Sequence, residues 1–472
     1  MDRYKNIPEG SSTARSDDER NLQNITEDEE EAFSSDQEEQ CKRRGGSWRN
    51  FLKKKVLYVT ELWNKFTIFL WRLGEIHIFK LVTLFIIIVS VNEVSALTAI
   101  YVLLVAVLLP LSKASLLLSH VTLVWTTVII LAKMIFQLSL VETHYWITGC
   151  EDHNISTSEG NETDNAIWFG LQKIWSPSIN STISHYLRFY VLVLVLIVFE
   201  SIIRYHQRQY YRNPLIHKPD RGILFSSITR ADADKGIVSC IKFFANYFFY
   251  KFGLECCYIM TAVTVCLRVD AVALVYIVLV AAIMMMSRRT IANLWPIYKL
   301  VLAILLAVQF IVVLGFPPGV CIQYPWAENK NLTPNLKQWL YLPDYIKPPH
   351  SLVLIADFLQ LLFVSLQAFV FSIEGNRERM ERYGGGDNAD ILDDVEQNKP
   401  IPCKDFTLEQ TKGIDMVKHL VFEHMFWLTM AIVFITGATR INIFSLFYVI
   451  AVFCFMWFGK EFFLKPLRSM LR

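Results

Sequence analysis

Charge is scarce in this chain, and the punctuation of metal or redox chemistry is scarcer. Only 19% of the 472 residues are charged and the net charge is +2, so the chain offers a nucleic acid or other polyanion no strong field to follow. Its nine cysteines include no Cys-x-x-Cys and no paired metal-ligand spacing, which excludes a zinc ribbon or a thioredoxin-type pair. His419, Glu423 and His424 form His-x-x-x-Glu-His, a spacing that fits neither order of the zinc-hydrolase helix. Gly384-Gly385-Gly386 is followed by Asp387, Asp390, Asp393 and Asp394. It lacks the alternating ligands of a calcium loop and follows no strand, so it reads as an acidic linker. No catalytic residue, metal ligand or cofactor site is expected, and no enzymatic activity. A signal peptide is lacking too, because Met1 leads into acidic and hydroxyl residues rather than a basic stub and an apolar core.

What is abundant is apolar sequence. Hydrophobic residues make up 53% of the chain and the mean hydropathy is +0.33, values of a polytopic membrane protein. Two tight turns, Asn92-Glu93 and Arg268-Val269-Asp270, each split a long apolar run in half, and Thr439-Arg440-Ile441-Asn442 does so again. Glu93 and Asp270 are 177 residues apart, and Asp270 and Arg440 are 170 apart. Recurrence at a fixed period is the mark of a repeat array.

A crossing needs about 20 apolar residues, fewer at a tight hairpin. Ten are expected, over 79–91, 94–109, 116–138, 186–203, 248–267, 271–286, 300–316, 352–373, 420–437 and 441–458. The predicted fold is an all-α polytopic membrane protein, a parallel repeat of four-helix units, each preceded by an amphipathic helix. The organisation follows: residues 1–46 acidic and disordered, 47–203 the first unit, 204–236 a linker, 237–373 the second unit, 374–404 a flexible linker, and 405–472 the first half of a third.

Two signals set the expected orientation. Sequons at Asn154, Asn161 and Asn180 share one loop and Asn331 lies in the next, and such sites are modified only on the outer side. Lys53, Lys54, Lys55, Arg288, Arg289 and Arg468 fall on the opposite side, as positive-inside bias requires. Both termini are then cytosolic, the turns face outward, and the sequon at Asn24 stays unused. The spacing of Trp48, Leu52, Val56, Val59, Trp63 and Phe66 makes an amphipathic helix; it either lies in the lipid interface or packs on a neighbour. Lys53, Lys54, Lys55, Arg288 and Arg289 are candidates for anionic lipid heads, with simple topology determination as the equal alternative for the two arginines. Cys150 and Cys321 face the oxidising side on this topology and can pair across adjacent outer loops. Lys133, Glu255, Asp357 and Glu423 are intramembrane ionisable residues, read here as helix-end groups satisfied by snorkelling or a neighbour.

Several irregular stretches carry a resemblance. Lys251-Phe252-Gly253-Leu254-Glu255, Arg288-Arg289 with Ile291-Ala292-Asn293-Leu294-Trp295-Pro296, and Phe434-Ile435-Thr436-Gly437 are three of them. The outer loop adds Pro317, Pro318, Cys321, Tyr324, Pro325 and Trp326. Together they resemble the blade of Piezo mechanosensitive cation channels. The resemblance implies a plasma-membrane, tension-transmitting blade segment, membrane lipids as partners, homotrimers of full-length chains, no nucleic acid, and permeant cations passing only through a pore module not found in this sequence. A ten-helix solute transporter or membrane scaffold is the alternative. It wants midplane helix breaks and buried charges at matching positions, which the sequence does not offer.

Overall fold

The computed structural model describes residues 47–111, 115–142, 146–149, 162–174, 183–214, 222–225, 227–228, 232, 235–327, 332–345, 348–374, 413–439 and 441–458. Of these, 47–71 fall in one unit and those from Arg72 in a second. Helix α1 is Ser47–Asn92, α2 Ala96–Leu108 and α3 Ser115–Phe136; strands β1 (Ile147–Gly149) and β2 (Glu162–Asp164) and helix α4 (Asn165–Phe169) follow. Next come α5 Ile183–Tyr210, α6 Ile237–Arg268, α7 Ala271–Met284, α8 Arg288–Leu314, α9 Pro334–Trp339 and α10 Val353–Glu374. A last pair, α11 Gly413–Ala438 and α12 Ile443–Phe458, packs together. Among the described residues seven helices are long and apolar enough to cross a membrane, and 96–108, 271–284 and 443–457 are shorter apolar helices.

The three short helices follow the three turns, and one local device starts each. In hydrocarbon every backbone donor needs a partner, and a helix start has four without one. Ser95 accepts from Thr98 N while Thr98 Oγ1 accepts from Ser95 N, a reciprocal capping box. Asp270 Oδ1 accepts from Ala273 N at 3.0 Å, and Asn442 Oδ1 accepts from Ser445 N at 2.8 Å. The helices they start, α2, α7 and α12, have 13, 14 and 16 residues. They are therefore roughly 20–24 Å long, short of a full hydrocarbon thickness.

The amphipathic stretches are not separate helices. α1 runs unbroken over 46 residues and α6 over 32, because nothing between the apolar faces is a strong breaker. Residues 53–66 of α1 are exposed, among them Val56, Val59, Trp63 and Phe66. α6 carries its change of direction as a kink at Phe252 (φ −116°, ψ 17°). α8 begins at Arg288 rather than near Leu300 and passes through Pro296, which membrane helices tolerate when neighbours cover the freed carbonyl. β1 and β2 pair antiparallel, Ile147 opposite Asp164, a small ladder that the all-helical expectation did not include.

Packing divides the helices into two bundles. In the first, α2 packs on α3 and α3 on α5; in the second, α6 packs on α7 and α10, and α8 on α10. Tyr101, Ile129, Tyr190 and Ile197 are the innermost side chains of the first, and Tyr276, Trp295, Phe310 and Phe358 those of the second. Trp295 Nε1 donates to the Val364 carbonyl at 2.9 Å, satisfying the indole inside the bundle. The bundles meet where α2 packs along α8.

Candidate functional site at the hairpin turns

Each of the first two turns is fastened to its own bundle by a buried ion pair. Lys133, from the last turn of α3, is buried and pairs with Glu93 of the first turn. Its ammonium also donates to the Gly170 carbonyl at 2.9 Å and lies 3.9 Å from the Tyr186 ring centre. Tyr190 OH donates to Glu93 Oε2 at 2.8 Å and Tyr186 OH to the Gly170 carbonyl at 2.9 Å. Gly170 holds φ +90°, and a Cβ there would meet Ser95 Oγ at 2.6 Å; only glycine lets the loop close on the turn.

The second lock has the opposite sign at the turn. Arg268 ends α6, fully buried, and its Nε donates to Asp270 Oδ2 at 3.0 Å and its Nη2 to the same oxygen at 2.9 Å. Its Nη1 donates to Gln309 Oε1 of α8 at 2.6 Å and pairs with Asp357 of α10. Gln309 Nε2 in turn donates to Tyr276 OH of α7 at 3.1 Å. One guanidinium thereby ties together four helices, a task its planar fork of donors suits. The Tyr341 ring lies 4.8 Å from the guanidinium carbon. Burial, opposed by Arg268 beside it, keeps the Tyr341 phenol protonated well above its ordinary range. So Lys133 and Asp357 do not snorkel. Both stand near a helix end, and of the two expected means of satisfying them it is the neighbour that acts, through pairs with residues 40 and 89 positions away, since a charge at this depth is held by an opposite charge in the bundle. Glu255 is exposed.

A clasp joins the bundles on the same face. Asn165, at the start of α4, accepts from Gly319 N at 2.7 Å, and Trp168 Nε1 donates to the Gly315 carbonyl at 3.2 Å. A Cβ on Gly319 would meet the Asn165 side chain at 2.0 Å. Pro317 and Pro318 open the 3₁₀ turn Pro318–Val320, which packs against β1, β2 and α4; proline suits positions whose N–H needs no partner. Behind it, Tyr324 OH accepts from Phe316 N at 2.9 Å, and its ring stacks on Trp326 with centres 5.4 Å apart. Trp326 Nε1 donates to the Pro343 carbonyl at 2.8 Å. Pro325 lies in the turn closed by Ala327 N and the Tyr324 carbonyl. Tyr345 packs on Tyr324, and burial with that neighbour pushes its phenol up to about 12. Near the middle of α8, Lys299 Nζ donates at 2.8 Å to the carbonyl of Pro110, just past the end of α2.

Cys321 is disulfide-bonded. Cys150 and the sequons Asn154, Asn161, Asn180 and Asn331 lie outside the described residues, as do Asn24 and Arg440. Lys53, Lys55 and Arg289 are exposed. Arg288 pairs with Glu374 at 2.6 Å, joining the start of α8 to the end of α10. Sequence reasoning missed Asn165, Trp168 and Gln309. Nothing local marks them.

The elements assembled above define a class: a polytopic all-α membrane protein in which a capped helix hairpin recurs with further crossings, fastened at its turns. The family described as Piezo TM25-28 matches residues 393–472. The chain is 36% identical over 427 residues to Piezo-type mechanosensitive ion channel component 1 of Homo sapiens, an alignment covering 87% of this chain and 16% of that protein. The Mus musculus protein of the same description gives 36% over 427 residues, 86% of this chain and 16% of the relative. Piezo-type mechanosensitive ion channel component of Drosophila melanogaster is 30% identical over 426 residues, 89% of this chain and 16% of the relative. The chain belongs to the Piezo family, and it spans about 16% of the length of the curated relatives it matches.

Proposed function

We propose that this chain is a blade segment of a mechanosensitive cation channel, carrying membrane tension along its array of bundles toward a pore built by other sequence. The carrying observation is the way the two bundles are joined: α2 lies along α8, the clasp holds one end, and Lys299 near the middle of α8 reaches Pro110 just past the end of α2. A displacement of one bundle then moves the next instead of being absorbed between them. Tension does work in proportion to the change in projected area, so a long, stiffly connected arm is an effective lever.

The same reading places both termini in the cytosol, the turns and the clasp outside, glycans on Asn154, Asn161, Asn180 and Asn331, and a bond from Cys321 to Cys150. Lys53, Lys54, Lys55 and Arg289 meet anionic lipid heads, and the full-length chains act as homotrimers in the plasma membrane. Pressure-clamp recording from the full-length channel tests the function. With Asn165→Ala and Trp168→Phe combined, the pressure for half-activation should rise while unitary current stays the same. An unchanged pressure response, with the variant at the cell surface in normal amount, would sink the coupling role. Glycosidase mapping tests the orientation: a glycan on Asn24, or none on Asn154, Asn161 and Asn180, overturns it.

A further inference from the structure

Where α6 kinks, a polar side chain of α10 waits without a bond. Phe252 leaves the helical basin at φ −116°, ψ 17°, which disturbs the ladder of backbone bonds on either side of it. The next residue, Gly253, is buried, and a Cβ on it would meet Gln367 Oε1 at 2.3 Å. The Gln367 amide is thus seated on the α6 backbone at the kink. Gln367 is fully buried, and neither its Oε1 nor its Nε2 has a hydrogen-bond partner among the described residues. An unpartnered amide at membrane depth disfavours the arrangement that leaves it so.

The two halves of α6 are held by different groups. Below the kink, Asn246 Oδ1 accepts from Leu224 N and Phe225 N at 2.9 Å, and its Nδ2 donates to the Phe225 carbonyl at 2.7 Å. Tyr247 and Tyr250 cluster with Ile223, Val370 and Ile373. Above it, Thr261 Oγ1 accepts from Gln360 Nε2 at 3.2 Å, and Thr264 Oγ1 donates to the Ala356 carbonyl at 3.3 Å. Rigid halves meeting at a glycine beside an unused amide are the parts of a hinge and its catch.

We infer that Phe252–Gly253 is a hinge of the second bundle and that Gln367 is its catch. When α6 bends further at Phe252, the backbone C=O and N–H groups released there bond to Nε2 and Oε1 of Gln367. Gln367 is a positioning residue: it selects between two bends of α6, and glycine at 253 is what lets its amide reach the backbone.

The test uses the full-length channel in bilayers. Spin labels at Ile241 and Leu267, exposed positions on either side of the kink, report the bend as a distance distribution. The native protein should give two populations. Gln367→Leu should lose the shorter one, and Gly253→Ala, whose Cβ displaces the amide, should lose it too. One population in the native protein overturns the hinge, and an unchanged pair of populations in Gln367→Leu overturns the catch. Hydrogen exchange in the native protein needs no variant. Gly253 and Leu254 should exchange faster than Thr261 and Thr264, and equal protection contradicts the hinge. None of these measurements uses channel current, so their failure and a failure of force transmission are distinguishable.

Discussion

Arg268 and Lys133 are the side chains on which the turn face depends. A buried charge stripped of its partner costs about 3–5 kcal/mol. Asp357→Leu, which leaves Arg268 with Asp270 and the neutral Gln309, should therefore destabilise the second bundle by about 3 kcal/mol, the lower end of that range. Lys133→Met should cost less, because the Glu93 side chain it abandons is 32% exposed and water takes up part of the charge. Detergent-solubilised thermal unfolding of the single and double variants Lys133→Met and Glu93→Gln checks this; near-additive losses would mean that the pair is not coupled. Val269 is the opposite case. It is 72% exposed and held at φ 50°, a conformation that costs a β-branched residue about 1–2 kcal/mol. Val269→Gly should stabilise the fold by about 0.5–1 kcal/mol once glycine's greater unfolded freedom is subtracted, read as a higher melting temperature. A lower melting temperature would show that Val269 makes a contact its exposure conceals.

The hairpin is the element that recurs, and its second helix is the weak member. α2, α7 and α12 are short, so each depends on its start: Ser95, Asp270 and Asn442 all accept from a backbone N–H three residues on. Replacing a cap with alanine costs about 1 kcal/mol. Ser95→Ala and Asn442→Ala should each lose about that much, read as faster hydrogen exchange confined to the first turn of α2 or α12. Asp270→Ala should cost more, since Asp270 also holds Arg268, and its exchange should rise at the turn and at α8 together. Equal effects at all three positions would separate the cap from the lock. The breaks in the apolar runs were legible in the sequence. The locks were not, because Lys133 and Asp357 sit in runs that show only the cost of a charge and not what repays it.

At the scale of the whole molecule, successive bundles must move together for a lever to work. Gly319→Ala places a methyl where Asn165 lies, and it should raise the pressure for half-activation as much as Asn165→Ala does, with no further increase when both are combined. Independent, additive shifts would mean that the two residues do not share one contact. The motif Pro317, Pro318, Tyr324, Pro325 and Trp326 was recognisable as a stretch, yet its role was not. Only the packing of its 3₁₀ turn Pro318–Val320 against β1, β2 and α4 shows where the neighbouring loop docks.

The apolar runs and their breaks determined by sequence alone where the apolar helices form and where the chain turns, because the hydrocarbon demand acts on each window of about 20 residues separately. Which helices lie side by side was decided only in the tertiary structure. Several similarly apolar helices satisfy lipid equally well in many orders, and what distinguishes them is pairwise and remote: Lys133 with Glu93, Arg268 with Asp357, Asn165 with Gly319. A turn announces itself locally, but a lock exists only once its two halves have been brought together.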